Sequence, residues 1–346
     1  MKKILITGGA GFIGINAAKY FLDKGNEVIA LDNLSRRGSD LNLKWLAGKK
    51  YKNFSFVKSD IRDYKTLLKI FKKNSGIDVI LHLAAQVAVT TSVVNPREDF
   101  EINALGTLNV LEAARAFKEP PVLIYSSTNK VYGCMEDVKV IKRKNHWQFA
   151  SHKKGVAEDY PLDFHSPYGC SKGAADQYVR DYSRIYGFRT VVLRQSCIYG
   201  TRQFGIEDQG WVAHFAIQAY FKRPLTIYGD GKQVRDVLFI DDLINAFNLS
   251  IKNIKNISGK IFNVGGGVEN QMSLLELISL LEKIYCRKIK YSFAGWRPGD
   301  QKIFVSDNSL AGKILCWKPK VGKIQGIRLL TDWIKSNEKE LSSFYE

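Results

Sequence analysis

The regular alternation of strand and helix patterns along the first third of the chain restricts the fold more than any other feature. Short apolar runs rich in β-branched residues cover 3–7, 27–32, 54–60, 78–84 and 121–127, and helical patterns cover 12–22, 64–73 and 97–117. Such alternation predicts βαβ units, in which consecutive strands are parallel and the helices cover both faces of one sheet. Because crossover connections are right-handed, we expect an α/β fold with a doubly wound parallel sheet.

The regular alternation of strand and helix patterns ends after residue 133. The segment 134–160 is polar, basic and weakly periodic, and it leads to a helix over 167–186 and a strand over 190–196. Beyond 197 the pattern is mixed, with helices expected near 207–221, 241–252, 273–284 and 325–340. We therefore expect a smaller, mixed C-terminal domain beside the parallel sheet.

A glycine-rich turn separates the first strand from the first helix. Gly8, Gly11 and Gly14 are spaced GxxGxxG. In the Rossmann-type fold such glycines permit a tight turn, a close approach of backbone to a pyrophosphate, and packing of helix on strand. The motif alone is weak, because an ordinary strand-to-helix turn can contain the same glycines.

Acidic residues at the ends of the next strands strengthen this interpretation. Asp32 closes the second strand 18 residues after Gly14, where an acid accepts hydrogen bonds from the adenosine ribose. A carboxylate there repels a 2′-phosphate, which favours NAD over NADP, although Arg36 and Arg37 weaken that preference. Asp60 ends the third strand and is placed to contact adenine. Together these residues predict dinucleotide binding.

A tyrosine and a lysine are spaced for proton transfer. Ser166 and Pro167 predict a helix start, so Tyr168 and Lys172 lie one turn apart on the same helix face. An ammonium near a phenol favours phenolate, and we expect it to lower the pKa of Tyr168 from about 10. Bound NAD⁺ would add a second positive charge. Thr128, just past a strand, could hydrogen-bond the reacting oxygen or simply cap the strand.

Composition excludes several classes of protein. The 346 residues include 52 Lys and Arg against 34 Asp and Glu, a net charge of +18. That charge suits nucleic-acid binding, a lysine-rich surface or polyanionic small molecules, but no interleaved basic and aromatic module is present, so we expect no nucleic-acid partner. The sequence contains no apolar run of about 18 residues, so it predicts no membrane-spanning helix. The apolar run near the start breaks at Thr7, too early for a signal peptide, and we expect a cytoplasmic protein.

Cysteine usage predicts neither a disulfide framework nor a metal site. The five cysteines are widely spaced and form no CxxC pair, so small buried apolar side chains are the favoured interpretation.

Taken together, the motifs resemble the extended short-chain dehydrogenase/reductase family. The resemblance rests on Gly8, Gly11, Gly14, Asp32, 82–85 (HLAA), 126–128 (SST), 132–133 (YG), Tyr168, Lys172, Arg194, 199–200 (YG), 233–236 (QVRD), 262–266 (FNVGG) and 297–300 (RPGD). These motifs extend over essentially the whole chain. Members mostly modify nucleotide-diphosphate sugars on a permanently bound NAD, so the resemblance implies NAD as cofactor and such a sugar as substrate.

The resemblance also implies roles for individual residues. Thr128, Tyr168 and Lys172 would be catalytic. The cofactor side would comprise Gly8, Gly11, Phe12, Ile13, Gly14, Asp32, Asn33, Ser35, Arg36, Asp60, Ile61, Leu83, Ala84, Ala85, Gln86, Asn103, Ser126, Tyr168 and Lys172. The substrate side would comprise Gln86, Thr128, Asn129, Ser196, Gln209, Trp211, Arg235 and Arg297. Arg235 and Arg297 would hold the diphosphate unless they serve only as surface ion pairs, and Trp211 could equally belong to the core.

Two departures narrow the reaction. Asn129 and Lys130 stand where the 4,6-dehydratases of the family carry an Asp-Glu pair, and the glutamate of UDP-xylose-type decarboxylases is absent from this stretch. The reaction classes that remain are those that oxidise or reduce a single carbon, as epimerases and reductases do. Segments 126–133, 162–178 and 202–211 look like the branch that epimerises CDP-hexoses at C2, which also lacks the phosphate-binding Asn replaced here by Cys197.

The expectation is therefore an NAD-dependent nucleotide-sugar 2-epimerase. A 4-epimerase or reductase of the same family and a non-enzymatic NAD sensor are the alternatives. We expect an NAD-binding domain over 1–196, with about 234–266 crossing back into it, and a nucleotide-sugar-binding domain over 197–233 and 267–346. The family usually dimerises through two helices, here near 97–117 and 168–187, which predicts a homodimer or homotetramer.

Overall fold

The computed structural model describes residues 1–297 and 299–346, so Pro298 of the predicted RPGD motif lies outside the described residues. The strands are β1 (Lys3–Thr7), β2 (Glu27–Asp32), β3 (Phe54–Lys58), β4 (Val79–His82), β5 (Val122–Thr128), β6 (Val140–Lys142), β7 (Trp147–Phe149), β8 (Thr190–Gln195), β9 (Cys197–Tyr199), β10 (Leu225–Tyr228), β11 (Val234–Phe239), β12 (Lys260–Val264), β13 (Gln271–Ser273), β14 (Tyr291–Ala294) and β15 (Ile303–Phe304). The helices are α1 (Phe12–Asp23), α2 (Ser39–Ala47), α3 (Tyr64–Lys73), α4 (Val89–Val94), α5 (Pro96–Phe100), α6 (Gly106–Arg115), α7 (Ser166–Tyr186), α8 (Trp211–Tyr220), α9 (Ile240–Lys252), α10 (Ile254–Ile257), α11 (Leu274–Tyr285), α12 (Ser309–Leu315), α13 (Lys323–Ser336) and α14 (Glu338–Tyr345).

A seven-stranded parallel sheet forms the first part of the structure, which confirms the predicted fold class. Its strand order is β12-β8-β5-β4-β1-β2-β3, so the order reverses between β1 and β4. In sheets of this type ligands bind at that reversal, outside the carboxyl ends of the strands. The loops after β1 and β4 are therefore placed where the sequence predicts a dinucleotide.

The strands form because they are apolar on both sides, as a sheet covered on both faces requires. Leu5, Ile29, Ile80 and Leu123 are at most 1 % exposed and share one core cluster with apolar residues of α3 and α6. Asp63 is the N-cap of helix α3, and its carboxylate accepts the Thr66 N–H at 3.0 Å. The predicted elements up to residue 127 are all present, with ends that differ by a few residues.

The long helix predicted over 97–117 contains an irregular turn. Residues 96–100 and 106–115 are α-helical, and the five residues 101–105 between them form a π-helical turn. Such turns insert one extra residue and occur frequently at functional sites. Asn103, a predicted cofactor residue, lies in this turn.

Several elements form in stretches for which the sequence predicts none. These are helices α2, α4, α10 and α12 and the antiparallel hairpin of β6 and β7 inside the basic segment 134–160. Trp147 of this hairpin donates its indole N–H to Asp230, and the Lys142 and Lys302 ammonium groups lie 5.4 and 5.1 Å from its ring centroid. The basic segment therefore has a folded scaffold, although its lysines remain exposed.

The chain divides into two compact units. The first consists of 1–131, 166–194 and 244–262, and the second of 132–165, 195–243 and 263–346. Residues 132–165 thus group with the C-terminal part, and the returning segment is shorter than the predicted 234–266. The second unit contains a sheet of order β13-β11-β15, with β9 also paired to β11, and a separate pair of β10 with β14. None of the described helices is both long and apolar enough to cross a bilayer.

Candidate active site

The turn between β1 and α1 has the geometry of an anion cradle. Gly8 adopts a positive φ of 68°, and a Cβ there would lie 2.8 Å from the Ala84 nitrogen, so only glycine fits against the loop after β4. A Cβ on Gly14 would overlap the Gly8 carbonyl oxygen. Gly11 caps α1 without a side chain. The first-turn N–H groups of α1, at Phe12 and Ile13, therefore have no side-chain cap and face outward from the helix end.

Asp32 is buried at the end of β2 and is held by backbone donors. One carboxylate oxygen accepts the Ala10 N–H at 3.0 Å and the other accepts the Leu34 N–H at 2.8 Å. Burial raises its pKa, whereas these hydrogen bonds and one from the Gly11 backbone act in the opposite direction. A carboxylate has about four acceptor positions, so one remains for a ribose hydroxyl.

Asp60 lies beside Asp32, but its acceptor positions are filled. Arg62 donates from its backbone at 2.8 Å and twice from its guanidinium, and Asn33 donates at 2.9 Å. The Arg62 hydrogen bonds lower the pKa of Asp60 to about 2. Asn33 in turn accepts the Ser35 N–H, and Arg36 is half-buried at the start of the turn leading to α2. The adenine contact of Asp60 remains a prediction.

A buried histidine ties the loop after β4 to the glycine turn. His82 accepts from the Thr7 hydroxyl at its Nδ1 (2.7 Å) and donates from Nε2 to the Thr107 hydroxyl (2.9 Å), which itself donates to the Asn103 carbonyl. Burial and the Lys172 charge lower the pKa of His82 to about 3, so the ring is neutral. Thr7 also accepts the Leu83 and Ala84 N–H groups, which fixes the predicted cofactor loop.

Residues 85 and 86 continue this loop toward the π-helical turn. The Gln86 N–H donates to the Asn103 side-chain oxygen at 2.9 Å, and the Asn103 amide donates back to the Gln86 carbonyl at 3.1 Å. Ile61 packs against Gly106, which follows Asn103 by about one helical turn. Ala85 is half-buried within the loop. The cofactor-side residues predicted from sequence therefore lie in one compact unit.

The predicted catalytic residues Thr128, Tyr168 and Lys172 are buried and lie close together. Tyr168, Lys172 and Asp176 occupy successive turns on the buried face of α7, and the helix starts with the Gly169 N–H bonded to the Ser166 hydroxyl. The Thr128 hydroxyl hydrogen-bonds the Tyr168 phenol. The Lys172 ammonium donates to the Ser126 carbonyl at 2.6 Å and lies 4.3 Å from the Tyr125 ring centroid. Asn129 follows as a buried residue.

The expected direction of the tyrosine shift is wrong in this structure. Burial raises the pKa of Tyr168 to about 12 and lowers the pKa of Lys172 to about 7. The Lys172 ammonium is committed to the Ser126 carbonyl, and burial disfavours its charged form, so the desolvation of the phenol dominates. Thr128 lowers the pKa of Tyr168, but not enough to reverse the effect.

Two buried carboxylates near these residues were missed. Asp176 is fully buried and forms a two-point ion pair with Arg194, with Nε···Oδ2 at 3.0 Å, while Ser127 donates to it at 2.7 Å. Asp99 is 1 % exposed and accepts from Gln86 and Asn103. The sequence signal for Asp99 was its place four residues before Asn103, on the same helix face.

In the second unit, both arginines predicted to bind phosphate contact carboxylates. Arg235 pairs with Asp300 at 2.5 Å. Arg297 lies 3.3 Å from both Glu207 and Asp208 and 3.9 Å from the Tyr228 ring centroid. The guanidinium groups are therefore held in ion pairs, which was the alternative interpretation of these residues. A diphosphate would have to compete with those carboxylates.

The remaining substrate-side residues are also in the second unit. The Trp211 indole donates to the Cys197 sulfur at 3.0 Å, and burial raises the pKa of that thiol to about 12. Trp211 is half-buried, so it is not simply a core residue. Ser196 donates to the buried Asp236, and Gln209 forms a two-way backbone bridge with Ile206.

Residues 4–265 match the model of the NAD dependent epimerase/dehydratase family. The chain belongs to this family. It is 46 % identical to a CDP-paratose 2-epimerase from Salmonella typhi over 340 residues, which is 96 % of this chain and 99 % of that protein. It is 32 % identical to a UDP-glucuronate 4-epimerase from Thermodesulfobacterium geofontis, over 98 % of each chain.

A solved family structure has the same fold. The UDP-glucuronic acid 4-epimerase from Bacillus cereus, crystallised with UDP-glucuronic acid and NAD, superposes with a TM-score of 0.82 at 31 % identity, over 96 % of this chain and 99 % of that one. The chain is thus an NAD-dependent enzyme of the epimerase/dehydratase family.

The residues present fit NAD. The uncapped first turn of α1 and the close approach permitted by Gly8 suit a pyrophosphate, and Asp32 retains acceptor capacity for a ribose hydroxyl. At the adjoining loop, the Thr7 hydroxyl accepts the Leu83 and Ala84 N–H groups, and Gln86 and Asn103 hydrogen-bond each other.

Proposed function

We propose that this enzyme inverts C2 of the hexose of a nucleotide-diphosphate sugar through a transient 2-keto sugar, and that the nucleotide is CDP. The observation that carries the oxidoreductive part is the buried group of Thr128, Tyr168 and Lys172 on one face of the cofactor unit. The 46 % identity to a CDP-paratose 2-epimerase supports C2 as the carbon and cytosine as the base.

Proton transfer is assigned to Tyr168. Its phenolate would accept the proton of the 2-hydroxyl and return it in the reverse half of the cycle. Thr128, which already hydrogen-bonds the phenol, would hold the reacting hydroxyl in reach. When bound, NAD would supply a hydride acceptor and a positive charge that favours the phenolate.

Lys172 has two tasks in this scheme. Its ammonium, fixed by the Ser126 carbonyl, would bond the cofactor ribose and supply positive charge near the phenol. Burial lowers the pKa of Lys172 to about 7, whereas its acidic neighbours Asp176 and Asp99 favour the charged form.

Inversion requires that the keto sugar turn while the nucleotide stays bound. Arg235 and Arg297 would hold the diphosphate, because guanidinium–phosphate contacts are directional and strong. Asp300, Glu207 and Asp208 would then be displaced from them. The family resemblance also assigns Gln86 and Asn129 of the first unit, and Ser196, Gln209 and Trp211 of the second, to the substrate.

The test starts with the purified protein. Denaturation should release about one NAD per chain, and CDP-paratose or CDP-glucose in D₂O should be inverted at C2 without deuterium at that carbon. Deuterium at C2 would indicate deprotonation at carbon and refute hydride transfer. Inversion at C4, or activity only with UDP sugars, would instead favour the 4-epimerase alternative.

We further propose a homo-oligomer formed through α5–α6 and α7. Large apolar side chains are exposed on these elements: Phe100 is 55 % exposed and Ile185 66 %, with Leu105 and Tyr178 also accessible. Such apolar exposure on adjoining helices indicates a protein interface. Sedimentation should show a dimer or tetramer, and Phe100→Glu should yield monomers. A monomeric wild-type protein would contradict this assembly.

A further inference from the structure

Asp99 is a buried acid that forms no direct salt bridge with any of the described residues. It is 1 % exposed on α5, and one of its oxygens accepts the Gln86 side-chain amide at 2.8 Å and the Asn103 amide at 3.1 Å. The other oxygen accepts the Ser171 hydroxyl. Burying a carboxylate costs free energy unless donors or charges compensate it, so the retention of this one calls for an explanation.

All three donors belong to the active-site segments. Gln86 lies in the loop after β4, Asn103 in the π-helical turn, and Ser171 directly before Lys172. Ser171 has one hydroxyl proton and gives it to Asp99, while the Asn103 amide also lies 3.1 Å from the Ser171 oxygen. Asp99 therefore joins the cofactor loop, the irregular helix and the first turns of α7 at a single carboxylate.

The Asp99 charge also acts on the two predicted proton-handling residues. Around Lys172 lie Asp176 on its own helix, Asp99 on α5, neutral His82 at the end of β4, and the phenols of Tyr125 and Tyr168. Asp99 and Asp176 are the carboxylates that oppose the effect of burial on Lys172. Asp176 is already paired with Arg194, whereas the donors to Asp99 are all neutral.

We propose that Asp99 is a positioning residue of this active site, which holds Gln86 and the Ser171 turn in place and whose negative charge favours the protonated form of Lys172. The proposal deepens the proposed function and rests on it for the catalytic consequence. The electrostatic part concerns only this chain's own residues and is measurable without turnover.

The direct test is an NMR titration of Lys172 in NAD-loaded protein with ¹⁵N-labelled lysine, its signal assigned by its loss in Lys172→Met. In Asp99→Asn the pKa of Lys172 should fall by about one unit, the size expected when a unit charge within roughly 10 Å is removed at an effective dielectric constant near 20. Glu98→Gln, which removes an adjacent but exposed acid, should leave it unchanged. An equal pKa in wild type and Asp99→Asn overturns the proposal.

A kinetic test separates this role from a merely structural one. Removing the charge should move both limbs of the pH profile of kcat toward lower pH, because the phenolate becomes easier and the ammonium harder to form. A loss of kcat that is equal at every pH, with no shift of the profile, would contradict the proposal. Asp99→Ser, whose smaller side chain leaves room for water to serve the donors, replaces Asp99→Asn if that variant does not fold.

The failure of the two proposals can be told apart. If wild-type protein turns over no nucleotide sugar, the proposed function fails while the titration still decides whether Asp99 sets the charge of Lys172.

Discussion

Lys172→Met should change the pH dependence of stability in a predictable direction. Lys172 is 4 % exposed, and burial lowers its pKa from 10.5 to about 7. Between those two pH values the unfolded chain binds a proton that the folded chain does not, so the free energy of unfolding rises with pH in that window. The destabilisation caused by burial of the Lys172 charge reaches its full size below about pH 7 and is absent above pH 10.5.

The size follows from the same shift. A difference of about 3.5 pKa units corresponds to about 5 kcal/mol at low pH, of which about 3 kcal/mol should be regained between pH 6 and pH 9. Methionine keeps most of the apolar volume and cannot titrate. The bond to the Ser126 carbonyl and the contact with Tyr125 weaken when Lys172 loses its proton, but this change belongs to the same proton-binding equilibrium and adds no further pH dependence.

The assay is urea unfolding of wild type and Lys172→Met at pH 6, 7.5 and 9, with equal free NAD in every sample because bound ligand stabilises the native state. The stability of wild type relative to the variant should increase with pH. Lys65→Met on the exposed side of α3 is the matched control and should show no such trend. A difference that is independent of pH, or that decreases with pH, would refute the view of Lys172 as a lysine whose charge is disfavoured by burial.

Three further outcomes are expected. Asp176→Asn leaves its buried arginine partner without a counter-charge and should lower the free energy of unfolding by about 3–5 kcal/mol in urea; a loss below about 1 kcal/mol would contradict the ion-pair assignment. Tyr168→Phe should reduce turnover by about 10²–10⁴-fold while denaturation still releases NAD, and wild-type turnover would exclude Tyr168 as the proton acceptor. Glu207→Gln should remove one of the two carboxylates that pair with Arg297 and tighten CDP binding roughly two- to fivefold by calorimetry, whereas weaker binding would show that Glu207 supports the site.

Sequence periodicity predicted the sheet well because parallel strands covered on both faces need continuous apolar runs. Periodicity predicted secondary structure less well where the local preference for helix or strand is weak. Helix α2 contains only a few buried residues, α4 is six residues long and rich in β-branched side chains, and the hairpin of β6 and β7 lies in a polar segment anchored by Trp147 to Asp230. Long-range contacts rather than local pattern stabilise these elements.

Candidate site residues were predictable when a motif placed them at a strand end or on a helix face. Gly8, Asp32, Tyr168 and Lys172 were found in this way. Asp99 was not, because its place four residues before Asn103 does not by itself show that an acid in a charged helix is buried.

The order of strands and helices, the glycine turn and the placing of Tyr168 one turn from Lys172 were determined by the sequence alone, since each depends on residues close together in the chain. Only the tertiary structure decided which charges those groups carry and which carboxylates face the arginines. Burial and Coulomb interactions sum over elements that are distant in sequence, so Asp99, Asp176 and the Ser126 carbonyl set the state of Lys172. For the same reason a spacing that predicted a lowered tyrosine pKa led to a raised one once the phenol was packed away from water.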